Sequence, residues 1–201
     1  MAKASKSSTK SRLLQAGIKE FSAHGFRGAS LRDIAVEAET NVAAINYHYA
    51  SKEKLWQAVV SNLYGKLGEA IMADEPSWSD MSPREVLRNS TRNYIVFSAQ
   101  HPELYRITLF EMIDDGERLD WLAHNQLREF SERSIAWTSI AQQNGVYPKA
   151  IPPLNLFYVM MGAIQTIFMM APQIERSFKV NVFAEEQIEQ HIEAVFGLLH
   201  L

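Results

Sequence analysis

Residues 30–54, SLRDIAVEAETNVAAINYHYASKEK, gather the side chains of this chain best suited to recognising another polymer. The small residues Ala43 and Ala44 stand among the amides Asn41 and Asn46, so the backbone there can come close to a partner and still offer it hydrogen-bonding groups. Positive charge lies nearby. Through Lys54 the chain carries nine Lys/Arg against five Asp/Glu, which leaves the remainder at net −7 although the whole is only −3. Local positive charge, rather than a basic total, is what phosphate binding requires.

These residues need helices to position them. Leu14, Ile18 and Phe21 recur at helical spacing, which predicts a first helix over 9–24. Gly25 is a left-handed stop, with Phe26 placed to pack back on Phe21. Ser30, with Asp33 three residues on, opens a second helix whose inner face is Leu31, Ile34, Ala35 and Ala38. Asn41 caps a third, to Tyr49, with Ile45 pointing inward, and Ser51 caps a fourth that carries Leu55, Val59, Leu63 and Leu67. Two short helices on a three-residue turn, the second with a small, polar face, are the layout of a helix-turn-helix reader of DNA.

Downstream, start and stop signals continue. Residues 73–81 read as a loop, and Ser82-Pro83-Arg84-Glu85 is a capping box with a first-turn proline. Helices are expected over 82–101, 102–113, 117–144, 154–171 and 184–199, with the fifth of these striped by Ile188, Ile192, Val195, Phe196 and Leu199. The chain is therefore expected to be all-α, with about nine helices: an N-terminal trio and a larger helical bundle ending in dimerisation helices. The domain division follows, 1–54 for DNA binding and 55–201 for ligand binding and dimerisation.

In Gly25-Phe26-Arg27-Gly28-Ala29-Ser30, Asp33-Ile34-Ala35 and the run from Ala38 to Leu55, the chain resembles the tetracycline-repressor (TetR) family of transcription regulators. The resemblance implies roles for individual residues. Ser30 matches a helix-start hydroxyl that contacts phosphate, and Arg32 a long cation that reaches a guanine edge or a phosphate. Asn41, Val42, Ala43, Ala44, Asn46 and Tyr47 match the groove-facing positions of the recognition helix. There the alanines would meet a thymine methyl and Asn46 would pair with adenine. Tyr47 and His48 would reach backbone phosphates, Lys52 matches a phosphate-contacting lysine, and Tyr49 packs inward. The chain departs from the family in the turn, where Glu39 and Thr40 stand for glycine and an aliphatic residue, and at Asn46, where an aromatic residue is common.

The family also implies a homodimer on a palindromic operator, released by a small-molecule effector. An effector cavity is expected beside the long helix, near Tyr105, Phe110, Trp121, His124, Tyr158, Met161 and Gln165. The apolar run 154–171 is interrupted by Asn155, Gln165 and Thr166 and lacks basic flanks, which argues for a dimer seam with 188–199 rather than a bilayer span.

Other classes fit less well. The absence of cysteine excludes disulfides and thiolate metal sites and suits a cytoplasmic protein. None of the six histidines pair at one-face spacing, Glu111, Asp114 and Asp115 match no EF-hand, and no phosphate loop or nucleophile elbow occurs. Neither metal, cofactor nor enzyme activity is expected. The competing reading is a helical small-molecule carrier or protein-binding adaptor that does not touch DNA.

Overall fold

The computed structural model describes residues 8–201; Lys3 and Lys6 of the basic segment lie outside the described residues. Helix α1 (Thr9–Gly28) starts at Ser8, whose hydroxyl accepts from the Ser11 N–H. It is broken at Gly25, which takes φ 65°, a region that disfavours any residue with a Cβ. Phe26 stacks on Phe21 with ring centroids 6.1 Å apart, as expected, although Leu13 rather than Leu14 is the buried member of the preceding turn. Helices α2 (Leu31–Glu37), α3 (Val42–Tyr49) and α4 (Lys52–Ile71) follow, each capped by the expected side chain: Ser30, Asn41 and Ser51.

A short 3-10 turn (Glu75–Asp80) occupies the expected loop. Ser82 and Glu85 form the full capping box at the head of α5 (Pro83–Gln100), and α6 (Pro102–Asp114) follows. Helix α7 (117–143) contains one wide π turn at Ala123–Leu127, where the Arg128 N–H reaches back to the Ala123 carbonyl. Helices α8 (Pro153–Met169), α9 (Ala171–Phe178) and α10 (Glu185–Leu199) complete the chain. The described residues thus form ten α-helices and no strand. The helix beyond the expected nine is α9: Pro172 sits in its first turn, where its missing N–H costs nothing, so the residue read as a stop is also a start.

Contacts divide the chain into two compact units. The first comprises the described residues through Tyr64 together with Glu103–Leu119, so α6 is grouped with the trio. Its core is Leu13, Phe21, Ile34, Ile45, Leu55, Trp56, Leu63, Leu104 and Ile107. Tyr64, buried, meets Thr108 at 3.0 Å, tying α4 to α6.

The second unit comprises Gly65–Pro102 and Asp120–Leu201. Helix α8 packs against α5, α7 and α10 there, burying Leu156, Phe157, Ile164 and Phe168. An arginine ladder on α5 grips α10: Arg92 pairs with Glu189, Arg88 lies over the Phe196 ring, and Arg84 donates to the His200 carbonyl. No single described helix is long and apolar enough to cross a membrane. The pair α8 and α9 would pass only together, and it is bent by 57°.

Candidate nucleic-acid interface

The turn between α2 and α3 is built as a Schellman motif. The Glu39 N–H donates to the Val36 carbonyl and the Thr40 N–H to the Ala35 carbonyl, which places Glu39 at the position usually given to glycine. Glu39 accordingly has φ 51°. The hydrogen bonds are those of the glycine form, so the substitution keeps the turn and stores strain in it.

Asn41 then caps α3 by accepting from the Ala44 N–H at 3.0 Å. Ile45 and Tyr49, four apart, are buried, and the Tyr49 hydroxyl donates to the Lys10 carbonyl at 2.8 Å. The opposite face is left to solvent. Asn41, Ala43, Asn46 and Tyr47 are exposed, Tyr47 at 85%, while Val42, Ala44 and His48 are half-buried. The rings of Tyr47 and His48 meet edge to face at 4.9 Å. Eight helical residues with small and amide side chains outward form a rod about 12 Å long and about 10–12 Å across, a diameter that fits the width of a B-DNA major groove.

Helix α2 lies against α1 through Arg12, which donates to the Ala38 carbonyl, and through the Lys19–Glu37 pair. Ser30 caps α2 through its hydroxyl, and its own N–H donates to Glu20 at 2.9 Å. Arg32 and Val36 are exposed on the outer side of α2, Val36 at 76%. Val36 escaped the sequence reading; its position one turn after Arg32 was the available signal. Between α3 and α4 the Ser51 N–H donates to the Tyr49 carbonyl across Ala50, at φ 63° and ψ −36°, a strained γ-turn.

Lys52 points into the first unit. Its ammonium donates to the Ala29 carbonyl and lies 5.0 Å over the Phe26 ring. Burial pushes its pKa below the usual value, against the pull of Glu20 and with the help of the nearby Arg118 cation.

The expected effector residues divide between the units. Tyr105 is buried in the first, and Phe110 stands there with ring atoms 3.0 Å from where a Cβ on Gly25 would be. In the second unit, Met161 and Gln165 meet around Tyr94: Gln165 donates to the Tyr94 hydroxyl at 2.6 Å and that hydroxyl donates to the Met161 sulfur at 3.3 Å. Phe130 meets the Tyr94 ring edge to face, and Phe157 in turn packs on Phe130. His124 and Tyr158 are exposed and Trp121 is half-buried. The structure therefore brings together two of the seven, with Tyr94 as a third that an amide inside an apolar helix should have prompted.

A helix-turn-helix whose second helix turns an unencumbered polar face outward defines a DNA-reading regulator. Comparison with known proteins agrees. Residues 13–59 match the model of bacterial regulatory proteins, tetR family. The chain is 28% identical over 172 residues to the HTH-type transcriptional repressor SCO4008 of Streptomyces coelicolor, covering 84% of this chain and 82% of that protein. It is 25% identical over 190 residues to the HTH-type transcriptional regulator RutR of Escherichia coli, covering 94% and 87%. In fold it is similar to AibR, solved with isovaleryl coenzyme A and operator DNA, at a TM-score of 0.74, 18% identity and coverage of 95% and 97%. Residues 13–59 thus carry the helix-turn-helix of the tetR family, and along most of its length the chain is similar to DNA-binding transcriptional regulators.

Proposed function

We propose that the protein is a cytoplasmic homodimeric repressor that leaves a palindromic operator when a small molecule binds its second unit. The observation that carries this reading is the outward face of α3, polar and small over a buried Ile45–Tyr49 base. Within residues 1–54, Asn41, Val42, Ala43, Ala44, Asn46 and Tyr47 enter the major groove. Asn46 reads a base edge, while Ser30, Arg32, His48 and Lys52 serve the phosphates. Residues 55–201 hold the effector and the dimer seam. One such helix reads only a few base pairs, so two are needed, about 34–36 Å apart or a multiple of that.

The seam is supported by α8 and α10. Leu154, Tyr158, Val159 and Leu198 are exposed, and an added Cβ at Gly162 or Gly197 would meet open space. A stripe of this composition suits a self-complementary contact. The effector site is supported by the Tyr94–Met161–Gln165 cluster among Phe130 and Phe157, an aromatic lining with one adaptable polar corner. An effector held there favours the arrangement of protomers whose α3 helices no longer match the groove spacing.

The test is enrichment of duplexes from a random pool, with sizing of the protein alone. Enrichment of a palindrome by a protein that runs as a dimer is the expected result. A monomer, or no binding at low salt, would overturn the proposal. Val159→Glu with Leu198→Glu should shift the protein to monomer size and abolish binding to the enriched duplex.

A further inference from the structure

We propose that Arg118 is a positioning residue for DNA recognition, locking α6 to the kink of α1 that leads into α2. The inference rests on the reading of α3 as the DNA-reading helix. The Arg118 guanidinium lies 4.1 Å over the Phe26 ring and pairs with Glu111 at 2.8 Å and Asp114 at 2.5 Å. Asp114 also takes Arg27 at 2.8 Å, so the acidic pair on α6 holds both the cation over the Phe26 ring and the residue that follows Phe26.

The gripped segment is the one whose backbone is already unusual. Gly25 breaks α1, Phe110 of α6 fills the space a Cβ would need there, and only Arg27, Gly28 and Ala29 separate Phe26 from the Ser30 cap. The Ala29 carbonyl is itself fixed by Lys52, whose ammonium shares the Phe26 ring with Arg118. The start of α2, and with it the turn into α3, is thus referenced to α6 through Arg118 on one side and to α4 through Lys52 on the other.

Glu111 is 2% exposed. A charge kept at that depth needs its partner, and a purely structural role could be filled by apolar side chains of the same volume. The pair instead holds the guanidinium in one orientation over the Phe26 ring, while Asp114 takes Arg27 of the same distant segment; these charge-assisted bonds fix orientation as well as distance. Base reading depends on that orientation, whereas attraction to phosphates tolerates a shift of the helix.

The experiment compares binding to the duplex enriched by the wild-type protein with binding to a duplex of random sequence. Arg118→Gln with Glu111→Gln keeps the shape, removes both charges and avoids a buried unpaired carboxylate. Affinity for the enriched duplex should fall about tenfold, the scale of one misaligned bidentate base contact, while affinity for the random duplex stays within about twofold. Arg118→Lys, which retains a cation for Glu111, Asp114 and Phe26, should recover most of the loss. Equal losses on both duplexes, tracking a reduced folded fraction by calorimetry, would show a structural role only and overturn the inference. Unchanged binding to both duplexes would overturn it as well. A wild-type protein that enriches no duplex would defeat the DNA reading of α3 itself and the positioning role with it.

Discussion

Replacing Glu39 by glycine should make the protein more stable and tighten its hold on DNA, and the two gains can be separated. Glu39 holds φ 51° while both Schellman hydrogen bonds are formed, so glycine would keep the bonds and lose the strain. A left-handed residue with a Cβ costs about 1–2 kcal/mol. Glycine gives back about 0.4–1 kcal/mol through the freedom of its unfolded chain. The net gain is about 0.5–1 kcal/mol, or a rise in Tm of roughly 1–4 °C for a chain of this size. The lost carboxylate adds a second effect. One unit charge about 10 Å from a phosphate in water is worth about 0.4 kcal/mol, or about twofold in affinity at low salt, and it fades as salt shortens the screening length. Glu39→Gln removes the charge and keeps the strained backbone, so it should gain the affinity without the stability. Calorimetry and binding titrations at two salt concentrations read both quantities. A Tm for Glu39→Gly at or below wild type would refute the strain argument, and an equal Tm gain for Glu39→Gln would assign the stability to charge instead.

Other substitutions test the neighbouring parts. Asn46→Ala should relax base preference at one position of each half-site by about 1–3 kcal/mol, seen as altered enrichment from a random pool. Lys52→Ala should weaken all duplexes alike and lower the salt slope by about one; because its ammonium caps the Ala29 carbonyl, the Tm should fall too. Ala50→Gly should raise Tm by relaxing the γ-turn at φ 63°, measured by calorimetry. Burial raises the Glu111 pKa, with Arg118 pulling the other way. The folded protein therefore holds that proton to higher pH than the unfolded chain does. Stability from this group is full below the ordinary carboxylate pKa and declines as pH climbs through the raised one. The Tm difference between Glu111→Gln and wild type should accordingly move in favour of the variant from acid to neutral pH; a constant difference would contradict the raised pKa.

Helix ends were legible in the sequence because their signals are local. Ser30, Asn41, Ser51 and the Ser82–Glu85 box each satisfy backbone donors within three residues of themselves, so spacing alone reveals them. Helix α9 was hidden because Pro172 carries the same meaning at the end of one helix and the first turn of the next. The π turn of α7 left no local trace. At the site, the outward face of α3 follows from period and needs no partner. The direction of Lys52 could not be read this way, since it depends on where Ala29 and Phe26 stand after α1 breaks. Phe110 shows the same limit: an aromatic residue on α6 suggested a ligand wall, and its ring lies against the glycine of a distant helix.

The arrangement of cations bears on how such a head would tell one sequence from another. Lys19 is paired with Glu37, Arg27 with Asp114 and Arg118 with Glu111 and Asp114, while Lys10 lies 5.9 Å over the Tyr49 ring. Among the described residues of the trio, Arg32 is exposed and enters no ion pair. Non-specific attraction to DNA scales with the phosphates that free cations neutralise, so a head that spends its cations internally has a shallow salt slope and weak hold on random sequence. Contacts from α3 to base edges then make up a larger share of the total, and the ratio of specific to non-specific binding rises even as absolute affinity per head falls. In the proposed dimer, two heads on one operator would recover that affinity, because the second would bind at the high effective concentration set by the first. On the proposed operator, discrimination should therefore gain from the charge withheld in these pairs as well as from the residues that α3 presents.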